Sequence, residues 1–471
     1  MIRVRKRVTR RRFLGLASLA TLSALAGCGG NTPAAVDQPK GFPPGPTGPK
    51  PSPAALFGLL PVPISPSPTA TPSPHILRFG HWETGATGRI LSDLAQSFNA
   101  NNPNTIVRPE VASFGNHFVN LQQSFAASNP PDVFITTGAF FDDQRQANGL
   151  ANLGQRFVVD AVDLTTFWSE PIVKPINGQL YALPIWAAAD VVLLNLDRLN
   201  AAKVDLPTDN WTWASFLAAA QKATIGRPGE ISQWGTLIVN DFQGGWGSFI
   251  TTNSGHWLDS NKDLKFDRAA TDALRWVADA MLVHHVAPSP TEQHALTRGG
   301  TLDPFLSGNV AMFPTGTWEI PAALAGAKFT WDVISVPRPT VSAPGGPIGS
   351  VQPGALAHQG KQLDLAWRFL KFMLERNSQE RFAVDKIRLP SLKAVAQDSE
   401  TGFSSSPPIH ASTVAQTMAG ASDLQFSPHW QAMRGGVVSA LDRAFDGRTS
   451  LEDGLATAVT AGNAVLSKEG T

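Results

Sequence analysis

Four tryptophans stand at predicted strand ends or in predicted loops, and four polar residues that could bind a hydroxylated ligand lie beside one of these rings or a few residues from it. The rings and these neighbours are His81, Trp82, Glu83, Trp186, Asp190, Trp246, Trp318 and Glu319. Aromatic rings stack on the C–H faces of sugars, while carboxylate and imidazole groups exchange hydrogen bonds with hydroxyls. We therefore predict these residues as a ligand site. The alternative for each ring is core packing, and for each polar group a solvated rim.

The segment Asn309–Trp318 (NVAMFPTGTW) shows how such a ring could be held. Val310–Phe313 is a short apolar run typical of a strand, and Gly316 lets the backbone approach closely just before Trp318. This arrangement could form the floor of a ligand cleft. Trp246 lies in the sequence GGWG, whose glycines would let its ring project freely.

Alternating strands and helices are predicted to position the first of these residues. The predicted strands are His75–Gly80, Thr105–Val111 and Val133–Thr136, and the helices between them are about Thr87–Ala100 and Phe114–Ser128. This series indicates an open α/β sheet that is largely parallel. Ligands of such sheets bind beyond the carboxyl ends of the strands, where His81–Glu83 and Thr136–Phe141 place aromatic residues.

Composition indicates a large folded protein and excludes some partners. The chain has 471 residues, of which 42% are hydrophobic and 16% charged, so we expect two or more domains. A net charge of +1 argues against nucleic acid as the main partner, because a basic stripe would be expected.

The N-terminus resembles an export signal. A basic start precedes the apolar run Phe13–Ala26, which is too short for a stable membrane span but typical of a signal peptide. Thr9–Leu14 (TRRRFL) resembles the twin-arginine signal, although Gly15 stands where Lys is frequent, so a Sec route stays open. LAGC, ending at Cys28, resembles a lipobox. We predict a signal peptide over 1–27 and lipidation of Cys28, which is the only cysteine.

A proline-rich tether is predicted over residues 28–74. Most of its remaining residues are Ser, Thr, Ala and Gly, so it cannot bury a core. An extended, partly polyproline II chain rising about 3 Å per residue could hold a domain roughly 100 Å from a membrane. The folded part is therefore expected to begin near residue 75.

Several motifs in order resemble one family. The chain reads NGQLYALP, VVLLNLDRL and WTWASFLAAAQKA, then DPFLSGNVAMF with GTW, WDVISVP, LAWRFLKFMLER and RLPS. This succession, from about Ile76 to Leu466, resembles the family 1 extracellular solute-binding proteins of bacterial ABC importers, the maltose- and sugar-binding group. Two features depart from the family pattern: Tyr181 is the only tyrosine, and the crossing segment GSVQPG contains a proline.

The resemblance implies an α/β fold of the two-lobe, type II periplasmic-binding-protein kind with the ligand between the lobes. We expect residues 75–185 plus 350–400 in an N-terminal lobe and 186–349 plus 401–471 in a C-terminal lobe. Trp318 fits the family's stacking tryptophan. The implied function is capture of a mono- or oligosaccharide or polyol for an ABC permease, at the extracytoplasmic face of the membrane. We expect a monomer without cofactor or metal.

Alternative functions are a secreted carbohydrate-active enzyme, a surface adhesin, or binding of a non-sugar solute. A glycosidase needs two carboxylates across the scissile bond, and nothing in the sequence singles out such a pair. The chain contains no G-x-S-x-G, HExxH or P-loop motif. His284, His285 and His294 could suggest a metal, but a solvated helix end explains them better because acidic or Cys partners at ligand spacing are missing.

Overall fold

The computed structural model describes residues 74–206, 210–398, 403 and 408–467. The predicted signal peptide, Cys28 and almost all of the tether lie outside these residues. None of the helices in the described part of the chain is both long and apolar enough to span a bilayer.

Ten strands, β1 to β10, form one sheet in the described part of the chain. In chain order they are His75–His81, Thr105–Val111, Val133–Ile135, Ala182–Asn195, Trp234–Thr236, Val310–Gly316, Trp331–Ser335, Ile348–Leu356, Leu389–Pro390 and Ser422–Asp423. The main strand order is β2-β1-β3-β8-β4-β6-β5, with β7 and β9 also paired to β4 and β10 paired to β8.

Helices connect and cover these strands. The α-helices α1 to α17 are Gly85–Asn101, Phe114–Ala126, Gly138–Gln146, Gly154–Val159, Leu196–Ala201, Trp213–Ala223, Gly247–Thr252, Arg268–Leu282, Pro290–Leu296, Asp303–Leu306, Ile320–Gly326, Leu363–Phe372, Arg376–Ala383, Lys393–Ala396, Ser412–Ala419, Trp430–Phe445 and Leu451–Leu466. Short 3₁₀ helices span Leu164–Thr166, Pro171–Val173, Thr317–Glu319 and Val384–Lys386.

The first three strands follow the predicted pattern. β1 pairs in parallel with β2, with His81 opposite Val111, and also in parallel with β3, with Gly80 opposite Phe134. The carboxyl ends of these strands therefore lie at one edge of the sheet. This edge holds the predicted segment His81–Glu83.

The long strand β4 runs through the middle of the sheet. All of its residues are buried, as its almost continuous apolar sequence ALPIWAAADVVLLN predicts for a strand covered on both faces. Ala182–Ala189 pairs with β8, and Asp190–Leu194 pairs with β6. The predicted boundaries at 185/186 and 349/350 fall inside β4 and β8, the two strands that would cross between the predicted lobes.

Candidate functional site

A cavity of about 840 Å³ lies at the carboxyl ends of β1 and β2. His81 and Glu83 line it from the end of β1 and Val111 from the end of β2, together with the first turns of α1 and with Arg381 and Val384. The cavity is therefore where open α/β sheets bind ligands. Two of the predicted site residues, His81 and Glu83, meet in its wall.

Two glycines allow α1 to begin close to this edge. Gly85 has a left-handed φ of +57°, which a side chain would strain. A Cβ on Gly88 would lie 2.8 Å from the carbonyl oxygen of Glu83. The sequence TGATG therefore brings the first turn of α1, which contains no acidic residue, to the cavity.

Arg388 interacts electrostatically with two of the predicted carboxylates. Its Nη2 donates to Oε2 of Glu83 at 2.8 Å, and the side chains are only 16% and 8% exposed. Burial raises the pKa of Glu319, and the positive charge of Arg388 opposes that shift. Glu83 and Arg388 thus form a largely buried ion pair, and the charge of Arg388 also acts on Glu319. Sequence reasoning did not predict Arg388 as a site residue, although it is the one charged residue of the RLPS motif.

His81 is a neutral, buried imidazole. Its side chain is fully buried, and neither ring nitrogen has a well-formed hydrogen bond among the described residues. Burial, and then the nearby His117, lower the pKa of His81 to about 4, against a smaller opposing effect of the Glu83 backbone. His81 packs against Phe79, with ring centroids 5.0 Å apart. It forms part of the cavity wall, but no solvent reaches it in this conformation.

Trp82 belongs to an aromatic group next to the cavity. Trp82 directly follows His81, the last residue of β1. Its ring centroid lies 5.2 Å from that of Phe114 and 5.5 Å from that of Phe118. Trp82 is partly buried, so some of its surface stays accessible.

Trp318 rests on two glycines. A Cβ on Gly316 would lie 1.9 Å from an atom of the Trp318 ring, and a Cβ on Gly244 would lie 3.0 Å from another. No other residue type would leave room for the ring at Gly316. Trp318 is partly exposed, and Glu319 follows it directly.

Asp190 supports the backbone beneath Trp318. Its Oδ2 accepts from the N–H of Gly244 at 3.0 Å and from Oγ of Ser248 at 2.7 Å, and the Ser248 hydroxyl in turn accepts from the N–H of Ile348 at 2.9 Å. Burial raises the pKa of Asp190 to about 7, although both hydrogen bonds oppose the shift. Asp190 is 1% exposed, so it positions Gly244 instead of facing a ligand in this conformation.

The expectation that Trp246 projects freely is wrong. The ring is fully buried, and its Nε1 donates to Oδ1 of Asn240 at 2.8 Å. A Cβ on Gly247 would lie 1.8 Å from the carbonyl oxygen of Phe242, so this flanking glycine permits tight packing. Trp186 is 1% exposed and packs against Phe382, with centroids 5.6 Å apart. Neither ring offers a face to a ligand here.

These groups suit recognition of a polar ligand. The partly exposed ring of Trp318 follows β6, and Glu83, the ion-pair partner of Arg388, lines the cavity at the carboxyl ends of β1 and β2; these groups offer stacking and hydrogen bonding. In the described part of the chain, no group of three or more His, Cys, Asp or Glu residues is arranged to hold a metal ion.

Comparison with known proteins identifies relatives. A family model described as bacterial extracellular solute-binding protein matches residues 82–380. The ABC substrate-binding protein Lmo0181 from Listeria monocytogenes, solved in complex with cycloalternan, superposes with a TM-score of 0.73 at 20% identity. The match covers 83% of this chain and 99% of that one. This similarity supports the predicted two-lobe α/β fold.

Two curated proteins are also similar in sequence. An uncharacterized lipoprotein encoded in the oleD 5' region of Streptomyces antibioticus is 25% identical over 72% of this chain and 75% of its own length. The sn-glycerol-3-phosphate-binding periplasmic protein UgpB of Escherichia coli (strain K12) is 23% identical over 82% of this chain and 92% of its own length.

Proposed function

Because the chain belongs to the bacterial extracellular solute-binding protein family, we propose that it captures a carbohydrate or related polyol and delivers it to an ABC permease. The membership confirms the family resemblance seen in the sequence. The observation that carries the proposal is the position of Trp318, whose partly exposed ring packs against the backbone of Gly316 and Gly244. An aromatic face held in this way is what the C–H face of a sugar stacks on.

The polar part of the site completes the proposal. Glu83, which lines the cavity and pairs with Arg388, and the partly exposed Glu319 supply charged donors and acceptors of the kind that recognise several hydroxyls. Trp82 would add a second ring at the end of β1. His81 and Asp190 support the wall and the Trp318 loop, respectively, and Trp186 and Trp246 support the core.

We propose binding without chemistry. Residues 75–185 plus 350–400 form one lobe and residues 186–349 plus 401–471 the other, and they close on the ligand by bending at β4 and β8. The family consists of binding proteins, and the named relatives are described as binding proteins or as a lipoprotein. The protein delivers its ligand unchanged.

The protein is proposed to act at the outer face of the cell membrane as a monomer. Cleavage before Cys28 and acylation of that residue would anchor the chain through the proline-rich tether. Two observations support this: the family is extracellular, and the S. antibioticus relative is named a lipoprotein. Several acyl chains together give stable membrane attachment.

A thermal-shift screen tests the proposal. The purified protein is heated with mono- and oligosaccharides, polyols, sn-glycerol-3-phosphate, amino acids, polyamines and divalent metals. A ligand that binds only the folded state raises the melting temperature. We expect stabilisation by at least one carbohydrate or polyol. Stabilisation only by a metal or an amino acid would overturn the proposal, and turnover of a glycoside would favour the enzyme alternative.

A further inference from the structure

The loop of residues 241–248 links the ring of Trp318 to the strand β8. Gly244 lies beneath the ring, where an added Cβ would be 3.0 Å from a ring atom. The preceding residue, Gln243, donates from its Nε2 to Oγ of Ser350 on β8 at 3.0 Å. Two consecutive residues of the loop therefore contact the ring and β8, respectively.

The Gln243–Ser350 hydrogen bond crosses the predicted boundary between the lobes. Gln243 belongs to the C-terminal lobe, whereas Ser350 is the first residue of β8 that belongs to the N-terminal lobe. Ser350 is only 4% exposed, and a buried polar group that loses its partner costs about 1–3 kcal/mol. When β8 bends at 349/350, we therefore expect Gln243 to follow Ser350 and the bond to persist.

Other side-chain hydrogen bonds of β8 near this boundary stay within one predicted lobe. The N–H of Ile348 donates to Oγ of Ser248 at 2.9 Å, and both residues belong to the C-terminal lobe. The N–H of Val351 donates to Oε2 of Glu170 at 2.9 Å, and both belong to the N-terminal lobe. Among the described side-chain hydrogen bonds of residues 348–351, the one from Gln243 is thus the bond that joins the lobes.

Tight packing leaves the loop little freedom to absorb a displacement. A Cβ on Gly245 would lie 2.2 Å from the carbonyl oxygen of Val239. Gly244 has a left-handed φ of +69°, and its N–H is bound by the buried Asp190 of β4. Because closely packed interiors transmit displacements, movement of Gln243 shifts Gly244.

The second glycine beneath the ring is fixed to β4 alone. Gly316 pairs with Asp190 of β4, and an added Cβ on Gly316 would lie 1.9 Å from a ring atom of Trp318. Gly244, in contrast, is linked to β4 through Asp190 and to β8 through Gln243. The two supports of the ring therefore change their relative position when β8 moves against β4.

We propose that Gln243 is a positioning residue, whose hydrogen bond to Ser350 couples movement of the lobes to the position of the Trp318 ring. The ring then presents its face differently in the open and closed arrangements, so release of a ligand includes a change at the stacking surface as well as opening of the cleft. This inference rests on the proposed function, because it takes Trp318 as the stacking ring and β8 as a crossing between lobes.

The test follows the Trp318 ring by 19F NMR in full-length protein labelled with 5-fluorotryptophan. The chain contains 13 tryptophans, and the signal of Trp318 is the one that disappears in Trp318→Phe. Wild type, Gln243→Ala, Ser350→Ala and the double variant are compared without any added carbohydrate. Ser391→Ala is the matched control, because it removes a fully buried serine hydroxyl that donates to the carbonyl oxygen of Pro184 instead of contacting the loop.

We expect each single variant to shift the Trp318 signal by more than its line width, because each removes the same hydrogen bond from a different side. The double variant should shift the signal little further than a single variant does, since no bond is left for the second substitution to remove. Ser391→Ala should leave the signal at its wild-type position.

A Trp318 signal at its wild-type position in both single variants would overturn the inference. Additive shifts in the double variant would also overturn it, because they would show that Gln243 and Ser350 act independently. If one single variant does not fold, the other still removes the bond and decides the question. Failure of the protein to bind any carbohydrate would overturn the proposed function, and it is a separate result because no carbohydrate enters this test.

Discussion

Trp318 is the ring whose removal separates a binding role from a packing role most clearly. One side of the ring rests on Gly316 and Gly244, where added Cβ atoms would lie 1.9 and 3.0 Å from ring atoms, and part of the ring is exposed. In Trp318→Ala, a bound sugar loses its stacking surface. The affinity for a carbohydrate should fall by about 1–3 kcal/mol, or roughly five- to 150-fold.

The expected stability change is smaller than for a core tryptophan. Truncating a fully buried aromatic side chain to Ala lowers the free energy of unfolding by about 3–5 kcal/mol. Because Trp318 is partly exposed, we expect Trp318→Ala to lower it by only about 1–2 kcal/mol. Calorimetry gives the affinity and urea denaturation the stability. Trp246→Ala is the core reference, because that ring is fully buried. Trp318→Phe is the conservative control and should retain most of the affinity.

A second variant moves the ring without changing it. Gly316→Ala places a methyl group where the Trp318 ring lies, so the ring must shift, and the affinity should fall although the tryptophan is intact. If Trp318→Ala instead binds the carbohydrate with wild-type affinity and loses as much stability as Trp246→Ala, Trp318 is a packing residue and not a binding residue.

Three further predictions concern charge and anchoring. Burial raises the pKa of Asp190 to about 7 and that of Glu170 to about 8, so each takes up a proton on folding. Their contribution to stability should fall as pH rises from about 4 to 8, whereas His81, whose pKa is lowered to about 4, contributes in the opposite direction. Thermal melts of the Asp190→Asn and Glu170→Gln variants against wild type should therefore show the difference in stability shrinking as pH rises. Arg388→Met leaves the buried Glu83 without its ion-pair partner, and we expect it to lower the free energy of unfolding, measured by urea denaturation, by about 3 kcal/mol. Adding Glu83→Gln should restore part of this stability. Wild-type stability of the Arg388→Met variant would contradict the prediction. Cys28→Ser should move the protein from the membrane to the soluble fraction of cells, and its retention on membranes would contradict the lipid anchor.

Much of the local structure could be predicted from sequence because its signals are local. The alternation in β1 and the apolar spacing in α1 placed both elements correctly to within about two residues. At the start of α6, the side chain of Thr212 accepts the N–H of Ser215, as the sequence preference for Thr before a helix leads one to expect. These patterns need no information from distant parts of the chain.

The site was less predictable because long-range packing decides it. The glycines around Trp246 fit a projecting ring and a tightly packed one equally well, and only the approach of Phe242 settles which occurs. Arg388 was missed because its partner Glu83 lies 305 residues earlier in the chain. Asp190 was expected beside the ligand, and sequence could not show that Gly244 and Ser248 enclose it.

Carbohydrate binding at Trp318 is tested most directly by calorimetric titration of wild-type protein and Trp318→Ala with the carbohydrate that gives the largest thermal stabilisation. We predict saturable binding at one site per wild-type chain and a roughly five- to 150-fold weaker affinity for the variant. Equal affinity of the two proteins, or no carbohydrate binding by the wild type, would contradict it.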